Sequence, residues 1–167
     1  MEEMRSAEFD PNSVRRVLQV DAPPQIAWRV FTGEMGSWWP LAMYKIGKTS
    51  AVDAVIEPRA GGRWYERDDD GSTCDWGRVL AWEPPSRLVL SWDITADWRY
   101  DPQLQTEIEA RFVADGAGTR LEFEHRRLDR YGDRRDEMRE IFDKTGDWGR
   151  LLAAFAQKAA DAARAAQ

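Results

Sequence analysis

The chain has 167 residues, 43% hydrophobic and 32% charged, which suits one domain that buries its own core without staples. A formal net charge of −6 argues against nucleic acid as the main partner, because phosphate binding needs a surplus of Lys and Arg on one face. No apolar run approaches the ~20 residues that span a bilayer, and the single cysteine, Cys74, precludes an internal disulfide, as in a reducing compartment.

Residues Met1–Asn12 are polar and mixed in charge, unlike a secretory signal. They read as part of a flexible leader over 1–13, ahead of a single domain over 14–164, with the cytoplasm as the expected address. Val14 to Asp21 alternates as a strand. Pro23 and Pro24 fit the first turn of a helix, where a missing N–H costs nothing. Ile26, Ala27, Val30 and Phe31 give that helix its apolar stripe, and Gly33 and Gly36 end it. Trp38-Trp39-Pro40 follows on a loop.

Six strands are then predicted: Val52–Glu57, Arg63–Arg67, Thr73–Trp82, Arg87–Ile94, Leu104–Ala114 and Thr119–Arg127. Turn chemistry separates them at Ala60-Gly61-Gly62, Asp69-Asp70-Gly71, Glu83-Pro84-Pro85-Ser86 and Asp115-Gly116-Ala117-Gly118. Strands joined by short turns pair as an antiparallel meander. In the last two, Leu104, Thr106, Ile108, Ala110 and Phe112 alternate with charged residues, as do Leu121, Phe123 and His125, so one face is buried and one wet. A linker over 129–133 precedes a short helical segment, Arg134–Lys144, ending at Gly146. Asp147 opens the last helix, to about Ala163, with Trp148, Leu151, Leu152, Phe155, Ala156, Ala159 and Ala163 on one face. Strand, helix, six strands and long helix make an α+β fold with helices on one side of one curved sheet.

Nine tryptophans exceed the needs of a small core, so several are expected to line a concave surface. His125, the only histidine, shares the inward phase of Leu121 and Phe123. It reads either as a core histidine or as a polar handle in a cavity. Metal is not expected, because zinc needs three or four ligands and no second His exists. Asp68-Asp69-Asp70-Gly71 lacks the bidentate Glu of a calcium loop and reads as a hairpin turn. Gly61-Gly62 precedes a strand, not a helix, and so does not read as a phosphate cradle. No catalytic constellation assembles: Ser91 is out of phase with Trp92, and Glu107, Glu109, Glu122 and Glu124 belong to the wet face.

Taken in order, Ala22-Pro23-Pro24-Gln25-Ile26-Ala27-Trp28 with Phe31-Thr32, Trp38-Trp39-Pro40, Glu57-Pro58-Arg59-Ala60-Gly61-Gly62-Arg63-Trp64-Tyr65-Glu66, Trp76-Gly77-Arg78-Val79, Glu83-Pro84-Pro85-Ser86-Arg87-Leu88 and Gly146-Asp147-Trp148 resemble the START-like (SRPBCC) superfamily. Within it they are similar to the family named after the C-terminal domain of the heat-shock-protein-90 ATPase activator. The resemblance implies a helix-grip fold, a curved antiparallel sheet wrapped around a long C-terminal helix, with a deep cavity that holds hydrophobic molecules. The expected function is non-catalytic binding of a hydrophobic or aromatic small molecule, lipid-like or polyketide-like, as carrier or sensor, with no cofactor. The expected wall is Trp38, Trp39, Trp64, Trp92, Ile108, Phe112, Phe123, His125, Trp148, Leu152 and Phe155. Two alternatives stay open: a chaperone-partner module, and a cyclase or hydrolase using His125. A homodimer through the edge strand Val52–Glu57 is a further expectation.

Overall fold

Period-two alternation builds most of the molecule. The computed structural model describes residues 9–143 and 147–167. Among them, seven strands form one antiparallel sheet: β1 Val14–Val20, β2 Ala51–Ile56, β3 Arg63–Asp68, β4 Thr73–Glu83, β5 Arg87–Trp92, β6 Thr106–Asp115 and β7 Gly118–Arg126. Their order is β1-β7-β6-β5-β4-β3-β2, so β2 to β7 meander and β1 returns to close on β7. Three helices accompany them: α1 Pro24–Gly33, α2 Arg135–Asp143 and α3 Asp147–Ala165. Pro24 sits in the first turn of α1, as its fixed φ favours. None of the described helices is long and apolar enough to cross a membrane.

The wet face of the sheet is a charge ladder. Glu107 faces Arg126 and Arg111 faces Glu122 across β6 and β7. Arg126 reaches Glu107 at 3.0 Å and Glu109 at 2.6 Å, and Arg87 reaches Glu109 from the other side at 2.6 Å. Burial pushes the Glu109 carboxyl up, but these two guanidinium groups outweigh it and hold it below the usual range.

The other face is dry. Leu88, Leu90, Ile108, Ala110, Phe112, Leu121 and Phe123 are buried there, and α3 presents Trp148, Leu151, Leu152, Phe155 and Ala159. At 19 residues, α3 runs about 28 Å at the usual rise per residue. This is the helix-grip arrangement that the alternation and the resemblance predict.

Most boundaries fall within one or two residues of expectation, and the main differences lie around β5, β6 and the segment before α2. β5 stops at Trp92 and β6 begins at Thr106, because Gln105 takes a left-handed φ of 56° that no strand accommodates. The Asp93 carboxylate knits the two ends together, accepting from Gln105 N at 3.0 Å and from Ser91 Oγ at 2.9 Å. The linker predicted over 129–133 lies inside a 3-10 segment, Leu128–Arg134. Most of the expected leader, residues 1–8, and the expected stop at Lys144 and Gly146 lie outside the described residues. Asp10 and Ser13 are tied down, since Arg139 Nε donates to both carbonyls at 3.0 and 2.9 Å.

Candidate ligand-binding site

A bulge aims the first wall residue. Trp64 pairs with Gly77 and Tyr65 with Asp75, so Trp76 is an extra residue on β4. A bulge re-aims the side chain it carries, and Trp76 turns inward, 1% exposed, although Arg78 shares its sequence phase and is exposed.

Around it lies a cavity of about 320 Å3, lined by Trp39, Met43, Tyr44, Lys45, Ile46, Trp76, Trp92, Ile94, Trp98, Phe142, Trp148 and Leu151. That is near the small end of the usual ~300–1,000 Å3 for ligand sites. The cavity sits where β4 and β5 meet the start of α3, the end of α2 and the loop after Pro40. The four buried indoles touch one another edge-on or tilted: Trp39 lies 5.0 Å from Trp76 and 6.0 Å from Trp148, and Trp92 lies 5.6 Å from Trp148.

Each of these four indole N–H groups is engaged. Trp39 Nε1 donates to Tyr44 O at 2.8 Å, and Trp76 Nε1 to Glu66 Oε1 at 2.9 Å. Trp92 Nε1 donates to Tyr131 Oη at 3.1 Å, and Trp148 Nε1 to His125 Nδ1 at 3.1 Å. The rings therefore meet the cavity as apolar faces and edges, held by polar partners behind them.

The loop over residues 44–47 hangs on one buried carboxylate. Glu66, fully buried, accepts Ile46 N at 2.8 Å and Gly47 N at 3.0 Å. A Cβ on residue 47 would lie 2.1 Å from Asp68 Oδ2 and 2.6 Å from Glu66 Oε2, so any larger residue here would push these two carboxylates aside. Burial pushes Glu66 up, but hydrogen bonds from Asp68, Ile46, Trp76 and Gly47 outweigh it and hold the group below its usual range. Burial and the adjacent Glu66 push Asp68 up to about 6, so of the two carboxyls Asp68 keeps its proton to the higher pH.

The mouth is marked by Met43, 56% exposed, and Trp98, 44% exposed. Trp98 holds a left-handed φ of 62°, which costs a residue with a Cβ about 1–2 kcal/mol. Such conformations cluster at ligand clamps.

Of the expected wall, Trp39, Trp92 and Trp148 line the cavity. Trp38, Phe112 and Phe155 instead surround Phe31, with ring centroids 5.1–5.5 Å from it. This aromatic plug, carried by α1, fills the space toward the other end of the sheet. Trp64 packs behind Trp76 at 5.4 Å, and Phe123 behind Trp148 at 4.6 Å. Ile108 and Leu152 are buried outside the cavity lining. His125 is also fully buried, with both ring nitrogens engaged, and burial holds it down to about 3. That geometry does not support acid–base work at His125. The Cys74 thiol is pushed up by burial and then by Glu66, so it stays protonated near neutral pH. No group of three or more His, Cys, Asp or Glu among the described residues is placed to hold a metal.

Sequence reasoning missed Met43, Tyr44, Lys45, Ile46, Trp76, Ile94, Trp98, Phe142 and Leu151. Trp98 carried a signal, a tryptophan in a polar stretch between strands. Trp76 did not, because alternation cannot see a bulge.

A curled antiparallel sheet gripping a long helix, with an aromatic cavity at one end, defines a START-like helix-grip protein. Residues 21–157 match the family described as activator of Hsp90 ATPase homolog 1-like protein, and the chain belongs to that family. It is similar to anthrahydroquino-gamma-pyrone synthase Txn09, solved complexed with SUM, at 35% identity and a TM-score of 0.61, covering 89% of this chain and 99% of that one. It is also similar to the self-sacrificing resistance protein CalC from Micromonospora echinospora, at 30% identity and a TM-score of 0.66, covering 90% and 96%. Protein NE0264 from Nitrosomonas europaea, 17% identical with a TM-score of 0.64 over 92% and 97%, shares the fold. Comparison with curated proteins found no match.

Proposed function

We propose that this protein holds a flat aromatic molecule of the polyketide type among Trp39, Trp76, Trp92 and Trp148, as a carrier or sensor. The observation that carries the reading is five indole rings around one cavity of about 320 Å3, four of them buried with their N–H groups turned to partners of their own and Trp98 half-exposed at the mouth. Such a lining rewards a multi-ring ligand through stacking and edge contacts, each worth about 0.5–1.5 kcal/mol beyond area burial. The 35% identity to a synthase of an anthrahydroquino-gamma-pyrone supports the same ligand class. Isothermal titration with 2-(hydroxymethyl)anthraquinone tests it: saturable 1:1 binding, weakened at least about tenfold in Trp92→Ala, is expected. An absence of binding to the folded wild type would remove the reading.

Likeness to a synthase also favours a second reading, in which the bound ring system is turned over. His125 is neutral and sealed from the cavity, so His125→Gln would retain that turnover. Loss of product in a folded His125→Gln protein would reverse this.

A further inference from the structure

The cavity wall carries a single charged residue, Lys45. Its side chain is 17% exposed, and the nearest carboxylate oxygen, Glu66 Oε2, lies 4.0 Å away, beyond hydrogen-bond reach. Glu66 is meanwhile occupied by three uncharged donors, Trp76 Nε1, Ile46 N and Gly47 N. An ammonium has three N–H donors. Among the described residues, Lys45 Nζ gives one of them to Gly47 O. A strut to Gly47 accounts for one donor and for the shape of the loop. It leaves further N–H donors on an ammonium that lines the cavity, whose charge Glu66 balances only from 4.0 Å, without a hydrogen bond.

We infer that Lys45 determines specificity in this cavity, and that the ligand is an aromatic molecule bearing an anionic oxygen group. Its rings lie among the indoles and its anion bonds Lys45 Nζ. This rests on the aromatic-ligand reading proposed above and adds the charge of the ligand to it. A charge-assisted hydrogen bond of this kind raises affinity by about tenfold or more. The four buried indole N–H groups cannot supply that anchor, since each is already donated, and Trp98 at the mouth is uncharged.

Isothermal titration with two matched probes separates the two readings. Anthraquinone-2-sulfonate is a permanent anion, and 2-(hydroxymethyl)anthraquinone is its uncharged counterpart. Wild type is expected to bind the sulfonate about tenfold more tightly than the alcohol. Lys45→Met erases that preference by weakening the sulfonate much more than the alcohol, and Lys45→Arg restores most of it. Equal affinity for both probes in wild type, or a Lys45→Met protein that keeps the preference, would overturn the role of Lys45 and leave the aromatic cavity standing. Binding of neither probe would remove both readings together.

Discussion

Trp148 Nε1 donates to His125 Nδ1 at 3.1 Å, and this contact fixes the state of the only histidine in the chain. An acceptor nitrogen carries no proton, so the proton sits on Nε2. Nε2 lies 3.0 Å from Thr106 Oγ1, whose own hydrogen goes to Trp92 O at 2.7 Å. The ring is a neutral link between α3, β7 and β6, and protonating Nδ1 would set two donors against each other.

His125 should therefore show no titration between pH 4 and 8 in the folded protein, read from its ring NMR shifts. The sign for stability follows. The folded-state pKa, about 3, lies below the unfolded value near 6.5, so the unfolded chain takes the proton first as pH falls. The contribution is full above about pH 6.5 and is lost toward pH 3, on the order of 4–5 kcal/mol in all. Urea midpoints of wild type and His125→Gln across that window check it, the variant showing the shallower acid slope.

Asp68 has the opposite sign. Its folded pKa, about 6, is raised above the unfolded value near 3.9, so the folded state keeps the proton longer. The group's stability is full below about pH 4 and declines as pH rises to 6. Asp68→Asn supplies a neutral donor to Glu66 at every pH. A gain of about 1–2 kcal/mol at pH 7.5, or several degrees in Tm, with almost none at about pH 3.5, is the expected calorimetric result.

Trp98→Gly relieves a left-handed backbone cost of about 1–2 kcal/mol and adds about 0.5–1 kcal/mol of unfolded-state entropy. Stability should change by less than about 1 kcal/mol. Affinity for an anthraquinone probe should fall roughly two- to tenfold as one ring contact at the mouth is lost. A variant with unchanged affinity would take Trp98 out of the binding site.

Phe155→Ala tests the plug. Phe155 is fully buried and touches Phe31, Trp38 and Phe112, so its removal should cost about 3–5 kcal/mol. In a protein that still folds, the new space lies beside the plug, and probe affinity at the cavity should be little changed. A large affinity loss at constant fold would mean that the ligand reaches Phe155.

The fold was legible because β6 and β7 alternate without interruption and α3 repeats its apolar face for five turns. Both are periodic signals that depend on local geometry alone. The site was legible only in part. Trp39, Trp92 and Trp148 sit on regular elements or beside a proline turn, where phase predicts direction. Trp76 needed an extra residue in β4, and Ile94 and Trp98 needed the left-handed turns that end β5. Lys45 and Ile46 are placed by Glu66, twenty residues away in sequence for Ile46. Phe112 and Phe155 face inward as their phase says, but Phe31 arrives from α1 to fill the space they border. Alternation gives a direction and not a distance to the next surface.

The edge-on and tilted indoles have an optical consequence. Trp38, Trp39, Trp64, Trp76, Trp92 and Trp148 are linked in a chain with ring centroids 5.0 to 6.1 Å apart, close enough for excitation to migrate among them. A quinone seated against any one ring would darken the whole set, leaving the half-exposed Trp98 and the separate Trp28–Trp82 pair as the remaining emitters. Emission would then report occupancy in nearly all-or-none fashion, while the identity of the ring in contact would have to come from single-tryptophan replacements.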